Sequence, residues 1–572
     1  MRIQRRTFVQ SALAGTVLAV TGCGGDSSQS ESDIAVGPET GGVQSNGRRV
    51  SFDHGVASGD PLHDRVILWT RVTPLDITLE DPEDRIPVVL KIARNREMTG
   101  PVTVINTLAR ARHDYCVKVD AEGLEEDTWY YYSFQVGNQR SVVGRTRTFP
   151  RAGTPTDRAR YAIVSCSNFP FGFFSAYKAV AEQPDLDFVL HLGDYIYEYA
   201  PGEYGNFPGR EPQPPRPTVT LADYRERHGQ YKTDPDQQAV HQQFPMICIW
   251  DDHESTNNSH MTGAENHDEA TEGSWDTRKN AAIKAYFEWM PIREIASDSL
   301  RIWRRFAFGD LIDLFMLDTR LEGRDPQLEN PADPQRNSPD QNIISEQQMN
   351  WLLDGLSSSA ARWRVLGNQV MFGQFNIAEI PGIQEDAQLR GNLVALNMDQ
   401  WDGYAADRQR ILNHISDEGI DNVLVHTGDI HSSWAIEVYR NSPAVTGDPI
   451  NPPLAAEFVC PAVTSPALEG EQARALELAI PVANPHMKYI ELETRGFILV
   501  DCTRERTQAE WYYVRSIESQ DERGQLREDM TKLVAVDSGS SRLILDGLSA
   551  TRPRSMRTAL NHPRVTTDTR FA

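Results

Sequence analysis

Cysteine is scarce in this sequence: six in 572 residues, at positions 23, 116, 166, 248, 460 and 502. That spacing excludes a zinc knuckle and a redox Cys-x-x-Cys pair. Cys116, Cys248, Cys460 and Cys502 leave two disulfides or four buried thiols equally open. Basic charge is also short, 57 Lys and Arg against 81 Asp and Glu, a formal net charge of -24. Without a dense Lys/Arg stripe, the field around the chain repels a polyanion, which argues against nucleic acid as a partner. No apolar run is long enough to span a bilayer; the longest near the N-terminus, Ser11 to Val20, is too short for a mature membrane helix. Neither a Gly-x-Ser-x-Gly elbow nor a Walker loop is present, so those two chemistries are excluded, and no internal repeat is visible. What remains is the composition of a soluble globular chain, too long for one ordinary core.

Residues 1–23 read as a processing signal. Arg5-Arg6-Thr7-Phe8-Val9 before the small-residue run resembles a twin-arginine export signal. Val20-Thr21-Gly22-Cys23 resembles a lipoprotein cleavage box, with Cys23 as the residue to be acylated; the alternative is a plain signal peptide cut nearby. The Gly/Ser/Asp-rich stretch 24–48 fits a flexible tether. The expected location is periplasmic or cell-surface, anchored through Cys23. Twin-arginine export carries folded proteins, which agrees with a cofactor inserted before export.

Between 49 and 150 short β-type runs recur, among them Val66 to Thr70, Val88 to Ile92, Tyr115 to Val119 and Trp129 to Phe134, without a helical stretch. The spacing predicts a small all-β, fibronectin-like domain. A Pro/Thr/Gly-rich boundary follows, and from about 155 to 536 strands alternate with helices, which predicts an α/β (α+β) catalytic domain. Helical patterns fall near Phe174 to Glu182, Leu221 to Tyr231, Thr277 to Met290, Ser345 to Leu356 and Ala406 to His414. The Ile302 to Leu317 run reads as a hairpin in a mixed sheet, and from Phe458 onward the pattern reads as β-rich. The segment 537–572 reads as a tail or cover.

Four apolar strands each end in a residue that can hold a metal. Tyr161 to Ser165 ends in Cys166, and Asp187 to Leu192 ends in Gly193-Asp194 with Tyr197 three residues on. Met246 to Trp250 leads into Asp251-Asp252-His253-Glu254, with Asn258 beyond, and Val423 to His426 leads into Gly428-Asp429-Ile430-His431. An Asp after Gly at a strand end is ordinarily a turn former. Four such ends hundreds of residues apart are hard to obtain from turn chemistry alone, and ligands in α/β sheets gather at the carboxyl ends of strands.

The ordered set Cys, Gly-Asp-x-x-Tyr, Asp-His-Glu, Gly-Asp-x-His resembles the calcineurin-like metallophosphoesterases, in particular the PhoD-type alkaline phosphatase/phosphodiesterase family. Gly55-Val56-Ala57-Ser58-Gly59-Asp60-Pro61 and Trp401-Asp402-Gly403-Tyr404 are similar to that family too. The resemblance covers about Ser51 to Val536. It implies a β-sandwich core with flanking helices and a secreted, metal-dependent hydrolase of phosphate mono- and diesters that scavenges phosphate, expected as a monomer. It further implies that Cys166, Asp194, Tyr197 and His431 hold Fe3+, and that Asp194 bridges to one or two Ca2+ held by Asp252, Asn258, Asp402 and Asp429, with the choice between Asp252 and Asn258 open. The residue types agree: carboxylate and amide oxygens suit calcium, while thiolate, phenolate and imidazole suit iron.

In the implied mechanism two cations clamp the phosphoryl oxygens and a metal-bound hydroxide attacks in line. His253 is the candidate to hydrogen-bond the phosphoryl group or protonate the leaving oxygen, the alternative being a residue that orients a ligand. Arg320 either neutralises substrate phosphate or makes a structural ion pair. Two other readings stay in view: a phospholipase-D-like or teichoic-acid-type diesterase, and a surface binding protein whose metals are structural.

Overall fold

The computed structural model describes residues 47–76, 81–295, 300–330, 333–376, 397–441 and 452–553. The signal at 1–23 with Cys23, most of the 24–48 tether and the end of the 537–572 segment lie outside the described residues.

Two sheets stack to form the main core. The larger has ten strands in the order Leu543–Ile544, Lys532–Asp537, Arg506–Tyr513, Gly496–Thr503, Arg158–Val164, Phe188–His191, Met246–Cys248, Val56–Gly59, Arg65–Arg71 and Cys116–Glu122. The smaller has seven: Arg304–Phe308, Ile312–Met316, Trp363–Gly367, Val423–Thr427, Ala455–Val459, Ser433–Val438 and Met487–Glu491. Ile163, Leu190 and Ile247 of the first sheet share one buried cluster with Ile312, Leu424 and Phe458 of the second. At the centre of each sheet the strands run parallel. Parallel strands are covered on both faces and read as continuous apolar runs, as Phe188–His191 and Val423–Thr427 do. Their carboxyl ends lead into the loops of Cys166, Asp194, Asp252 and Asp429.

Helices cover the outer faces. Glu346–Ser358 and Ala405–Asp417 pack Leu352 and Ile411 into a second core with Leu317 and Val425. Leu221–Lys232 starts at a capping box in which the Thr220 side chain accepts from the Asp223 N–H and Asp223 returns the bond.

Among its described residues the N-terminal region is all-β apart from one short 3-10 turn. Arg85–Ala93, Thr103–Arg110, Trp129–Val136 and Gly144–Arg147 form a sheet that packs Val88, Leu90, Tyr130 and Tyr132 against Val66, Leu68 and Val117. Those last three lie on strands of the ten-stranded sheet, so the β domain shares strands with the main core. The join is at Gly59, which pairs with Met246. A Cβ on Gly59 would lie 2.2 Å from the Pro291 carbonyl oxygen and 2.5 Å from that of Met246, so only glycine permits the approach. Arg304 crosses the same seam to Asp60 at 2.7 Å.

The predicted hairpin is present as Arg304–Phe308 paired antiparallel with Ile312–Met316. Among the described residues three helices depart from the sequence reading, the shortest being the single turn Glu269–Glu272. Pro235–Gln243 has almost no apolar periodicity, although its Asp234 cap and its Pro at the first turn are start signals. Gly470–Ala483 interrupts the β-rich C-terminal part; Pro481 sits inside it and masks its Ala/Leu-rich pattern. The four cysteines left open are all free and buried, as is Cys166. Arg48, in the tether as read from sequence, is fixed by two bonds to Asp84 at 2.9 and 3.0 Å. In the tail, Arg158 donates to the Arg552 carbonyl and Gln508 donates to that of Ser549, which ties 549–552 to the ten-stranded sheet.

Candidate metal centre

The loops that follow the parallel strands come together through glycine. Gly193 has φ 103°, and a Cβ there would lie 2.4 Å from the Cβ of Asp251. Only a glycine lets the Asp194 and Asp252 loops touch. Beyond it the ligand candidates themselves take left-handed backbone: Cys166 at φ 61°, Asp194 at 56°, Asp429 at 62° and His431 at 58°. Each such residue costs about 1–3 kcal/mol, a strain that gathers at functional sites.

Three overlapping groups result, each with its ligand atoms within 4.8 Å of one another: Cys166, Asp194 and His431; Asp194, Asp252 and His253; Asp251, Asp252 and Asp429. Asp194 belongs to the first two and Asp252 to the last two, so the groups form a continuous row. In the first group, the Tyr197 phenol is 2.9 Å from Asp194 Oδ2 and 3.3 Å from His431 Nε2. His431 Nδ1 donates to the Pro466 carbonyl at 2.8 Å, which fixes the ring so that the Nε2 lone pair faces the group. Ser465 Oγ lies 2.6 Å from the Tyr197 phenol oxygen.

Glu254 joins the loops from behind. Its Oε2 accepts from the N–H groups of Asp251 at 2.8 Å and Asp194 at 3.1 Å, and its Oε1 from that of Tyr195 at 2.6 Å. His253 Nδ1 is 2.8 Å from Glu198 Oε2, so its Nε2 faces Asp194 and Asp252. The sequence reading placed Glu254 in the loop after Trp250 without a role and did not single out Glu198. For Glu254 a signal was there, since an acid three residues after Asp251 can accept the N–H groups at the loop's start.

The charges do not balance. The carboxylates of Asp251, Asp252, Asp399 and Asp429 surround the buried guanidinium of Arg320, which contacts Asp251, bonds Asp399 at 2.7 and 2.8 Å and Asp429 at 3.0 Å, and lies 3.6 Å from Asp252, while Asp194 stands outside its reach. Arg324 adds a second contact to Asp399. Burial, with Asp251, Asp252 and Glu254 nearby, holds the Asp194 carboxyl well above the usual range against the pull of His253. Burial, with Asp399 and Asp252, lifts Asp429 to about 7 against the pull of Arg320. Asp252 alone is held low, at about 2, because Arg320, His253 and the Asn258 N–H outweigh its burial. Burial and Asp194 push the Cys166 thiol up. Such a cluster must take up protons or cations. Asp194 Oδ1, Asp251 Oδ2 and Asp252 Oδ1 are buried with no hydrogen-bond partner, as expected of oxygens aimed at ions, so the residues fit a metal centre.

A family model described as PhoD-like phosphatase matches residues 161–511, and one described as its N-terminal domain matches 37–150. The chain belongs to the PhoD-like phosphatase family. It is 34% identical over 524 residues to alkaline phosphatase D of Bacillus subtilis (strain 168), which covers 89% of this chain and 84% of that one. A solved structure described as "Structure of PhoD" superposes with a TM-score of 0.77 at 31% identity, covering 88% of this chain and 93% of the other. The protein is therefore a metal-dependent phosphoric ester hydrolase, built as a β-sandwich phosphoesterase core with an N-terminal β domain.

Within this PhoD-like centre the structure brings together Cys166, Asp194, Tyr197, Asp252, His253, Asp429 and His431, with Arg320 behind the acids. Asn258 stands beside the row: its backbone N–H donates to Asp252 Oδ2 at 2.6 Å, and its side-chain nitrogen donates to Glu265. Asp402 falls in none of the three groups. It pairs with Arg408 and accepts from the Phe375 N–H at 2.8 Å, while its neighbour Gln400 reaches Asp429 Oδ2 at 2.9 Å.

Proposed function

We propose that the chain is an exported phosphatase and phosphodiesterase that releases phosphate from mono- and diesters, retained at the cell envelope through an acylated Cys23. The observation that carries the site reading is the row of overlapping ligand groups sharing Asp194 and Asp252. In this reading Cys166, Asp194, Tyr197 and His431 hold Fe3+, and Asp194, Asp252 and Asp429 hold Ca2+, because thiolate, phenolate and imidazole suit iron and carboxylates suit calcium. Cations held there would neutralise the phosphoryl oxygens and lower the pKa of a water.

The protein's own groups do the rest. His253, oriented by Glu198 and held well above its ordinary value by Asp252, Glu198 and Asp194 against the desolvation of burial, keeps a proton at Nε2. That proton is available to a phosphoryl or leaving oxygen. Arg320, fully buried among the acids, offsets part of their charge and fixes Asp429. Asn258 holds Asp252 through its backbone, and Asp402, paired with Arg408, holds the Phe375 N–H.

The test is elemental analysis and visible absorption of protein exported by its native host, with p-nitrophenyl phosphate and bis-p-nitrophenyl phosphate assays with and without a calcium chelator. Iron near one per chain, a charge-transfer band lost in Cys166→Ser and chelator-sensitive hydrolysis are expected. Iron absent, with hydrolysis indifferent to the chelator, would overturn these metal assignments.

A further inference from the structure

Two phenols beside the centre, Tyr199 and Tyr204, carry hydroxyls with no hydrogen-bond partner among the described residues, and of the two it is Tyr204 that reaches Cys166 and Asp429 as well as Asp194 and Asp252. Tyr204 lies in the loop after Tyr199 and is half-buried. The loop is pinned at this point: the Asn168 side chain donates to the Tyr204 carbonyl at 3.1 Å, and the Phe207 N–H donates to the Pro170 carbonyl at 2.8 Å. Gly205, at φ 109°, packs so closely on Pro170 that a Cβ would lie 2.8 Å from its carbonyl oxygen. The Tyr204 ring therefore has a fixed address. It stacks over His253 at 6.1 Å and 23°, and lies 5.7 Å from the Tyr197 ring and 5.0 Å from that of Tyr199.

Its hydroxyl has no hydrogen-bond partner among the described residues, and it is not a sealed buried atom. The charges that reach it are those of Asp194, Cys166, Asp252 and Asp429, which belong to both ends of the ligand row. A phenol is an O–H donor at neutral pH. A donor over a row of anionic ligands, with no acceptor of its own, is placed for a group that arrives with the substrate.

We propose that Tyr204 contacts substrate, its O–H donating a hydrogen bond to a non-bridging phosphoryl oxygen beside His253. This rests on the reading of the centre as the ester-hydrolysing site. The bond is made to the phosphoryl group common to all esters and to inorganic phosphate, so its loss is felt equally whatever the leaving group. A purely structural ring would not show this, because Phe keeps the ring and its stacking.

The experiment uses the full-length, metal-loaded protein with Tyr204→Phe. It measures metal content, inhibition by inorganic phosphate, and kcat/KM for p-nitrophenyl phosphate and glycerol phosphate. A hydrogen bond to a charged oxygen predicts a fall of about 10- to 100-fold in kcat/KM for both esters, with phosphate inhibition weakened at least several-fold and metal content unchanged. The proposal is overturned if the variant matches wild type, if only the aryl ester is affected, or if the loss follows lost metal. Wild-type protein that hydrolyses neither ester would bring down the reading of the centre itself, an outcome distinct from active wild type with an unaffected variant.

Discussion

Replacing Glu254 by Gln tests whether the metal loops are held from behind. The substitution keeps shape and volume, so no cavity forms and the effect is one of hydrogen bonding alone. Glu254 accepts three backbone N–H groups, two on Oε2 and one on Oε1. Gln has one acceptor oxygen and places an NH2 where the other oxygen stood. If the oxygen stays toward Asp251 and Asp194, the Tyr195 N–H faces a donor; with the amide reversed, two N–H groups do. The milder arrangement leaves one buried donor without an acceptor, at about 1–3 kcal/mol. Asp194 begins at one of these N–H groups, and the ion-bearing state needs the loop in place more than the empty state does. Metal affinity is therefore expected to fall about 10- to 100-fold, the conversion of those energies. The assay is bound metal after dialysis against graded chelator, alongside thermal unfolding of metal-loaded and stripped protein. Loss of metal at lower chelator, with the stripped proteins melting alike, is the expected pattern. A variant that keeps its metals at the wild-type chelator midpoint and its wild-type kcat/KM would refute the reasoning. Equal destabilisation of loaded and stripped protein would assign Glu254 to the fold instead.

Arg304→Met leaves the Asp60 carboxylate, 0% exposed, without its guanidinium at the seam between β domain and core. Asp60 keeps the Arg293 N–H on Oδ2 at 2.8 Å but loses its ion-pair partner, which lowers stability by up to about 3–5 kcal/mol, read as a lower urea midpoint, with kcat unchanged below the transition. Lys232 is buried against Trp69 and Tyr195, its Nζ 3.1 Å from His241 Nε2 and near the thiols of Cys248 and Cys116, and burial lowers it to about 7. Between pH 7 and its ordinary 10.5 the unfolded chain binds the proton and the folded chain does not, so the lysine's penalty on stability is full below pH 7 and fades as pH rises. Lys232→Met is therefore expected to stabilise the protein at pH 7, by up to ~5 kcal/mol, and much less at pH 10; urea midpoints that shift equally at both pH values would contradict this.

Much of the fold was legible because parallel strands buried on both faces write themselves as uninterrupted apolar runs, as Phe188–His191 and Val423–Thr427 do. The helices with apolar stripes, such as Glu346–Ser358, were legible for the same reason. Pro235–Gln243 was not: Gln237, His241, Gln242 and Gln243 are buried polar side chains, so burial there leaves no hydrophobic period. The shared sheet was invisible too. Nothing in Val56–Gly59 distinguishes a strand closing its own sandwich from one that also borders Met246; the difference is a single glycine with carbonyl oxygens against its missing side chain. That kind of information is a distance, and a sequence does not hold distances.

At the site the sequence posed a choice between turn former and ligand for each Asp at a strand end, and the backbone shows that the two do not exclude each other. Asp194 and Asp429 take left-handed conformations, at φ 56° and 62°, which Asp tolerates because its short side chain can serve its own turn. The same turn throws the carboxylate off the strand axis toward the neighbouring loop. Turn propensity therefore carries no weight against metal binding at these positions. Cys166 is different. Cysteine has no preference for the left-handed region, yet it sits at φ 61° with its sulfur within 4.8 Å of ligand atoms of Asp194 and His431. Local turn chemistry cannot explain that strain, and coordination can. The residue least favoured by its backbone is thus the strongest single argument that the row of acids beside it was built for ions.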